Sequence, residues 1–368
     1  MRRLTRKDVE ELTPYPPGKP IEELARELGI EKKSIIKLAS NENPLGPSPK
    51  AINAIKEKLA ELHRYPDGSG FYLKERLSEK LGIPKDEIIV GNGSNELIEL
   101  TIRTFLLPGE KTIQAFPTFL MYEKIVKGGG GKMVSVPIKG FDIDLEGIYR
   151  SITPETKIIF INNPNNPTGQ AIKKKEMNDF LSSIPKDIIV ILDEAYIEFA
   201  EGDDIARGLG LLESHPLLLV MRTFSKIYGL AGLRIGYGFG SKRLIDYMER
   251  IRQPFNVNIL AQAGALAALD DDEFLSKTIE TISEGKRYLY QQLEEMHLRY
   301  IPSVTNFFLV EFPVRGREIY EKLLRKGVIV RSMESYNLPQ YIRITVGLME
   351  ENKKLISALK EVISWEMS

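Results

Sequence analysis

Seven short apolar segments, separated by stretches of helical character, limit the possible folds of this chain more than any other feature. They are EIIVGNG (87–93), KTIQAF (111–116), KMVSVP (132–137), KIIFINN (157–163), DIIVILDEAY (187–196), LLLVMRTFS (217–225) and LRIGYGFG (233–240). Several are apolar almost throughout, which is typical of strands buried on both faces of a sheet that helices cover. The pattern predicts an α/β domain with a mostly parallel seven-stranded sheet flanked by helices.

The sequence changes character after about residue 241. Long helical segments, KRLIDYMERIR and then 258–298, precede a shorter mixture that contains TNFFLVEF, GVIVRS and YIRITVG. A chain of 368 residues with 42% hydrophobic content can form two cores. We interpret the C-terminal part as a smaller α+β domain that the N-terminal segment joins. The predicted division is 1–45 for the N-terminal arm and part of the small domain, 46–250 for the large domain and 251–368 for the small C-terminal domain.

Charge and composition favour a small-molecule ligand over nucleic acid or a membrane. Lys+Arg and Asp+Glu both total 51, so the chain has no overall basic field for nucleic acid. It has no cysteine, and a histidine metal cluster would require all three histidines to converge, so we expect no metal site. The start, MRRLTRKDVEEL, lacks the apolar core of a signal peptide, and the apolar runs are strand-sized. These features predict a cytoplasmic protein.

A glycine turn follows the first apolar segment and leads into a helix. The sequence GNGSNE places the start of this helix near Ser94, where N–H groups and a partial positive charge suit a phosphate. The alternative is a plain strand-to-helix turn with Ser94 as the N-cap. Because the turn is not a GxGxxG fingerprint, it gives little support to dinucleotide binding.

Polar residues also follow three later apolar segments. NNPNNPTG is a rigid turn that can present amide side chains, although it could be only a loop rich in turn formers. Asp193 in DEAY follows an apolar run, where it either caps the next helix or pairs with a buried cation. Lys226 lies among hydroxyl and apolar residues, with Arg234 close behind. Since ligands of open α/β sheets bind at the carboxyl ends of strands, we expect these groups to meet.

Taken as one site, these groups match the needs of pyridoxal phosphate. A lysine amine with a lowered pKa forms a Schiff base with the aldehyde, and a carboxylate keeps the ring nitrogen protonated. Hydrogen-bond donors tune the imine through the phenolic oxygen, an aromatic face stacks on the ring, and N–H groups, hydroxyls and an arginine hold the phosphate. Each motif alone is a weak signal, but their combination at strand ends is specific.

Four motifs, NNPNNPTG, DEAY, TFSKIYGLAGLRIGY and YIRITVG, resemble the signatures of the fold-type I, class I and II aminotransferases that use pyridoxal phosphate. The N-terminal motifs LTPYPPGKPIEEL, LASNENPLGPSP and RYPDG are similar to those of the histidinol-phosphate aminotransferase branch. The resemblance extends from about residue 12 to residue 347. It implies transamination between histidinol phosphate and 2-oxoglutarate, in histidine biosynthesis, by a homodimer.

The resemblance also implies roles for individual residues. Lys226 would be the Schiff-base lysine, Asp193 would pair with the pyridinium nitrogen, and Tyr196 and Asn166 would hydrogen-bond the phenolic oxygen. Phe119 would stack on the ring, unless it is only a core aromatic at a helix start. The predicted phosphate ligands are Gly93, Ser94, Asn95, Thr223, Ser225 and Arg234, together with Tyr65 from the other subunit.

Four residues would bind substrate by the same resemblance. Arg343 would hold its anionic end, Arg331 and Tyr15 would lie near the substrate phosphate, and Asn43 would lie near the amino-acid end. The alternative for Arg331 is a solvated strand-end arginine. Histidinol phosphate has no α-carboxylate whereas glutamate has two carboxylates, so one site must accept both a phosphate and a carboxylate.

The sequence departs from the branch pattern in two places. Asn95 stands where aspartate is commoner, and Phe119 stands where tyrosine is commoner. These differences bear on the substrate, and the alternatives are an aromatic amino-acid aminotransferase and a threonine-phosphate decarboxylase. Outside that enzyme class, the alternatives are a non-catalytic regulator that binds pyridoxal phosphate and a dinucleotide oxidoreductase.

Overall fold

The structure is a computed structural model that describes residues 4–15 and 17–364. The helices are α1 (Lys7–Glu10), α2 (Ile21–Leu28), α3 (Pro49–Lys58), α4 (Phe71–Leu81), α5 (Ser94–Phe105), α6 (Met121–Gly129), α7 (Leu145–Arg150), α8 (Lys174–Ser183), α9 (Lys242–Glu249), α10 (Ile259–Ala268), α11 (Asp272–Glu295), α12 (Gly316–Arg325) and α13 (Met349–Ser364). The strands are β1 (Ile36–Lys37), β2 (Ile88–Gly91), β3 (Lys111–Phe116), β4 (Lys132–Pro137), β5 (Thr156–Asn162), β6 (Ile189–Asp193), β7 (Leu218–Thr223), β8 (Gly236–Gly240), β9 (Tyr300–Ile301), β10 (Phe307–Glu311), β11 (Val328–Ile329), β12 (Arg331–Ser332) and β13 (Tyr341–Thr345).

The seven predicted segments form one seven-stranded sheet in the order β2-β8-β7-β6-β5-β3-β4. Strand β8 runs antiparallel to both β2 and β7, and the other neighbours pair in parallel. This arrangement confirms the predicted mostly parallel sheet. In register, Asn162 at the end of β5 lies beside Asp193 at the end of β6. The carboxyl ends of the central strands therefore carry their polar side chains to one edge of the sheet.

The two faces of this sheet belong to two separate hydrophobic clusters. Along β6, Val190 and Leu192 pack into one cluster, while Ile189 and Ile191 pack into the other. Because successive side chains of a strand point to opposite faces, a strand covered on both sides needs apolar residues at every position. That requirement explains the continuous apolar runs of the central strands.

The C-terminal part contains a second, four-stranded antiparallel sheet in the order β12-β13-β10-β9. The N-terminal segment joins this part because β1 pairs in parallel with β11, with Ile36 beside Val328. The association of the N-terminal segment with the C-terminal part agrees with our interpretation, while the domain boundaries stay a prediction. In the predicted ranges, residues 1–3, 16 and 365–368 lie outside the described residues.

Among the helices of the described residues, none is both long enough and apolar enough to cross a lipid bilayer.

Candidate active site

A cavity of about 210 Å³ lies where the central strands of the large sheet end. Larger cavities exist, such as one of about 730 Å³ beside α11 and α13, but the charged groups predicted for the site do not line it. The smaller cavity gathers most of the predicted cofactor residues. Its lining consists of Ser40, Glu42, Ser94, Asn95, Phe119, Asn162, Asn166, Asp193, Ala195, Tyr196, Thr223, Ser225, Lys226, Ala231 and Arg234.

Lys226 projects its amine into this cavity from the turn after β7. Its Nζ donates a hydrogen bond to the carbonyl oxygen of Ser40 over 3.1 Å and lies 5.6 Å from the centre of the Tyr196 ring. Burial lowers the pKa of Lys226 to about 8, and the nearby Arg343 guanidinium acts in the same direction. A lysine with such a pKa is neutral often enough near neutral pH to act as a nucleophile.

Asp193 ends β6, and both of its carboxylate oxygens accept hydrogen bonds. Oδ1 accepts one from the backbone N–H of Ala195 (3.1 Å), and Oδ2 accepts one from the hydroxyl of Tyr122 (2.6 Å). Burial raises the pKa of this carboxyl to about 6, while the two hydrogen bonds act in the opposite direction. Asp193 therefore remains mainly ionised at neutral pH, although only 4% of its surface is exposed. The local bond to Ala195 shows that it also stabilises the following turn.

The Tyr196 hydroxyl is oriented by a residue that the sequence analysis did not select. Asn41 donates a hydrogen bond from Nδ2 to this hydroxyl over 3.0 Å. The Asn41 side chain is fixed in turn, because Thr345 Oγ1 donates to its Oδ1 and accepts from its backbone N–H, each over 3.0 Å. Since the Tyr196 oxygen accepts from Asn41, its own hydrogen can be donated to a ligand.

Arg343 connects the second sheet to the asparagine turn. Its Nη1 donates to Oδ1 of Asn166 (2.5 Å) and its Nη2 to the carbonyl oxygen of Ala39 (2.7 Å). With its oxygen engaged in this way, Asn166 can offer only its NH₂ group to a ligand. The Nε atom of Arg343 is buried without a hydrogen-bond partner among the described residues. Such an unsatisfied donor marks a place where an anionic ligand could complete the hydrogen bonding.

The opposite end of the cavity is positively polarised by the start of α5 and by Arg234. Gly93, with φ of 79°, is the N-cap, so the structure does not support the alternative in which Ser94 caps the helix. A Cβ atom at Gly93 would lie 2.4 Å from Arg234 Nη2, and one at Gly236 would lie 2.5 Å from the Ser94 nitrogen. Glycine at these two positions therefore allows the guanidinium, the helix start and β8 to meet. Nearby, Oδ1 of Asn95 is buried without a hydrogen-bond partner among the described residues.

Phe119 lies beside this cavity at the end of the loop that precedes α6. Its ring meets the Tyr122 ring edge to face, with centroids 5.4 Å apart, and it packs against one of the sheet clusters. The structure thus places Phe119 both at the cavity wall and at the margin of the core.

Six predicted residues do not line the cavity: Gly93 and Arg343, whose contacts are given above, and Tyr65, Tyr15, Arg331 and Asn43. Tyr65 is 82% exposed and stacks on Phe255, with ring centroids 4.7 Å apart. The ring centre of Tyr15 lies 5.6 Å from Arg331 Cζ, so these two residues form a cation–π contact.

Asn43 is directed into the protein. Its Nδ2 donates to the carbonyl oxygen of Ile227 (2.8 Å) and to Thr278 Oγ1 (3.2 Å), and its Oδ1 accepts from the N–H of Leu45 (3.0 Å). The amide is thereby used within the fold, next to the residue that follows Lys226. These bonds give Asn43 a structural role in holding the lysine turn, and its substrate contact stays a prediction.

The structure also brings forward residues that the motifs did not reveal as site residues. Ser40, Glu42, Asn162, Ala195 and Ala231 line the cavity, and Asn41 and Tyr122 contact residues that line it.

Comparison with known proteins places these features in a family. The sequence-family model for class I and II aminotransferases matches residues 33–359 of this chain. Histidinol-phosphate aminotransferase 2 of Pseudomonas fluorescens is 46% identical over 361 residues, which cover 98% of each chain. Histidinol-phosphate aminotransferase 1 of Nitrosococcus oceani is 47% identical over 355 residues, covering 96% of this chain and 95% of that one.

A solved structure gives the same result. Histidinol-phosphate aminotransferase from Sinorhizobium meliloti, in complex with pyridoxal 5′-phosphate, superimposes with a TM-score of 0.89 and 29% identity, covering 99% of this chain and 98% of that one. The chain therefore belongs to the class I and II aminotransferase family, whose cofactor is pyridoxal phosphate, and its similarity within the family is to histidinol-phosphate aminotransferases.

Proposed function

We propose that this protein transfers the amino group of glutamate to imidazole acetol phosphate, giving histidinol phosphate and 2-oxoglutarate, a step of histidine biosynthesis. The observation that carries the proposal is the convergence of Lys226, Asp193 and Arg234 on one cavity. The high similarity to histidinol-phosphate aminotransferases supports this choice of substrate.

The donor set of the cavity fits pyridoxal phosphate. Arg234 and the backbone N–H groups at the start of α5 would hold the phosphate. Asp193 would pair with the ring nitrogen, and Tyr196 and the NH₂ group of Asn166 would donate to the phenolic oxygen. When bound, the cofactor supplies an aldehyde that takes up the amino group and a ring that withdraws electrons from the substrate.

The protein's own residues then hold and move protons around that group. The Nζ of Lys226, with its pKa lowered to about 8, would take a proton from the substrate carbon and deliver it to the carbon of the cofactor that carried the aldehyde. Burial raises the pKa of Tyr196 to about 12, so its hydroxyl stays protonated and remains a donor. Asp193 contributes a fixed negative charge that favours the protonated ring nitrogen.

Two arginines would recognise the anionic ends of the substrates. Arg343 is only 6% exposed and carries the unsatisfied Nε described above. Arg331 lies on β12 directly beside Arg343 of β13 in register, and it is paired with the Tyr15 ring. Two guanidinium groups on neighbouring strands can serve a phosphate as well as a carboxylate, which the two substrates require.

The test of the substrate is an Arg331→Ala variant assayed with both donors. We expect its kcat/KM for histidinol phosphate to fall on the order of 10²-fold, because a charge-assisted contact with the phosphate is lost. For glutamate we expect a loss below about tenfold. Arg317→Ala, an exposed arginine that pairs with Glu321 on α12, is the matched control and should change neither value. Equal losses for both donors would show that Arg331 does not bind the substrate phosphate specifically.

The same assay separates the competing substrates. In the unmodified protein, histidinol phosphate should have a higher kcat/KM than phenylalanine or tyrosine. A preference for the aromatic amino acids would make the protein an aromatic aminotransferase. Release of carbon dioxide from threonine phosphate would instead indicate a decarboxylase.

We further infer a homodimer from the surface around Tyr65. Large apolar side chains are exposed along residues 59–72 and at Phe255, and contiguous exposed apolar surface marks interaction sites. They are Leu59, Leu62, Tyr65, Phe71, Tyr72 and Phe255. Because Tyr65 does not line the cavity of its own chain, its proposed phosphate contact requires a second copy.

Mixed dimers test this role of Tyr65. We expect Tyr65→Phe to weaken pyridoxal phosphate binding roughly tenfold or more, because a hydrogen bond to a charged group is lost. In dimers mixed with Lys226→Ala subunits, the site that keeps Lys226 receives an intact Tyr65 from the other chain. Tight binding should then return at that site. If mixing does not restore it, Tyr65 acts within its own chain, and sedimentation as a monomer would exclude the dimer itself.

A further inference from the structure

Tyr122 is a fully buried tyrosine whose hydroxyl contacts the carboxylate that faces the cofactor cavity. It lies in the first turn of α6 with 0% of its surface exposed. Its hydroxyl donates to Oδ2 of Asp193 over 2.6 Å, while Oδ1 of the same carboxylate accepts from the backbone of Ala195. The two donors together fix the plane of the carboxylate.

Two aromatic neighbours hold the Tyr122 ring in place. Phe160 of β5 stacks on it with ring centroids 4.7 Å apart and planes inclined by 15°. Phe119 meets it edge to face, with centroids 5.4 Å apart and planes inclined by 84°. A ring confined between two others cannot swing away at low cost, so the hydroxyl is pre-organised toward Asp193.

The hydrogen bond from Tyr122 lowers the pKa of Asp193, and the other charged and titratable groups around the carboxylate act in both directions. Burial and the neighbouring Glu194 raise the pKa of Asp193, whereas the Tyr122 hydroxyl, the Ala195 N–H and the Lys226 ammonium lower it. Burial, together with the negative charge of the nearby Asp193, raises the pKa of Tyr196 to about 12, so its hydroxyl stays neutral. Burial and the adjacent Asp193 raise the pKa of Tyr122 well above its usual value, so Tyr122 always donates and never competes as an anion.

We propose that Tyr122 is a positioning residue that keeps Asp193 ionised, so that the carboxylate can pair with the ring nitrogen of pyridoxal phosphate. The inference depends on the cofactor placement proposed above. Tyr122 acts only through Asp193. Without its hydroxyl, a larger fraction of Asp193 in the apoprotein is protonated near neutral pH. That proton must leave before the carboxylate can pair with the protonated ring.

The experiment measures the affinity of the apoprotein for pyridoxal phosphate as a function of pH, with Tyr122→Phe compared with the unmodified protein. The titration of the cofactor is common to both proteins and cancels in the ratio of their Kd values. We expect that ratio to be near one at about pH 8.5 and to rise to roughly tenfold at about pH 5.5, where Asp193 of the variant is protonated first. Calorimetry in buffers of different ionisation heat should show additional proton release, up to about one proton, when the variant binds the cofactor near pH 6.5.

Tyr237→Phe is the matched control. Tyr237 is 3% exposed on β8, and its hydroxyl interacts with Arg222 rather than with Asp193. Its Kd ratio should not vary with pH. In an Asp193→Asn background, Tyr122→Phe should likewise lose its pH-dependent effect, because no carboxyl remains to titrate.

The outcomes separate this inference from the proposed cofactor site. A constant Kd ratio for Tyr122→Phe, with no additional proton release, would show that Tyr122 is merely a core residue. Borohydride trapping of the cofactor on Lys226 in each variant checks the placement independently. Trapping on another residue would overturn the proposed site, and the Tyr122 inference with it. Trapping on Lys226 with a constant ratio would overturn the Tyr122 inference alone.

Discussion

Replacing Lys226 with alanine is expected to reduce transamination on the order of 10⁴-fold and to abolish the covalent adduct that borohydride traps. The reason is that the variant lacks both the amine that attaches the cofactor and the base that moves the substrate proton. Peptide mass spectrometry after reduction, together with the rate of each half-reaction, measures the two effects separately.

Lys286→Ala is a demanding control for this result. Lys286 is another largely buried lysine whose pKa is lowered by burial, and its Nζ donates to the carbonyl oxygen of Ser303 away from the cofactor cavity. If a low pKa alone made a lysine reactive, Lys286 would also be labelled. We expect the adduct in Lys286→Ala and none in Lys226→Ala. An unchanged adduct in Lys226→Ala would refute the assignment of the lysine.

The second large effect is expected for Asp193→Asn, which keeps the shape of the side chain and removes its charge. Breaking a buried ion pair costs about 3–5 kcal/mol, so we expect cofactor affinity and the rate of proton transfer to fall on the order of 10²–10³-fold. The affinity is measured by equilibrium titration of the apoprotein, and the rate in single-turnover reactions with glutamate.

The adjacent carboxylate provides the control. Glu194 is fully buried, accepts a hydrogen bond from the Gly208 N–H and pairs with Arg222 over 2.8 Å. Glu194→Gln should lower the thermal stability of the protein and leave the affinity for the cofactor nearly unchanged. A similar loss of affinity in both variants would mean that Asp193 supports the fold rather than the cofactor.

The presence and burial of the strands could be predicted because local composition reports them directly. A strand with helices on both faces must be apolar at every position, as the alternation of β6 residues between the two clusters shows. Polar residues at the ends of such strands are then exceptions that require a partner. For that reason Asp193 and Lys226 stood out in the sequence, and the structure brings them to one cavity.

Contacts between distant segments could not be predicted in this way. Tyr122 and Asp193 are 71 residues apart, and Asn41 and Tyr196 are 155 residues apart. Neither hydrogen bond leaves a periodic or compositional signal, since a tyrosine in a helix and an asparagine in a turn are ordinary locally. The bonds from the Asn43 amide to Ile227 and Thr278 are a further example, because they join segments that lie far apart in the chain.

By itself, the sequence determined the sheet, the family and the residues from which a pyridoxal phosphate site can be built. Only the tertiary structure decided which partners hold those residues, such as Tyr122 on Asp193, Asn41 on Tyr196 and Arg343 on Asn166. The physical reason is the distance along the chain over which each kind of interaction acts. Apolar periodicity and turn chemistry act between neighbours in the chain, whereas hydrogen bonds and pKa shifts depend on distances of a few ångströms that packing alone sets.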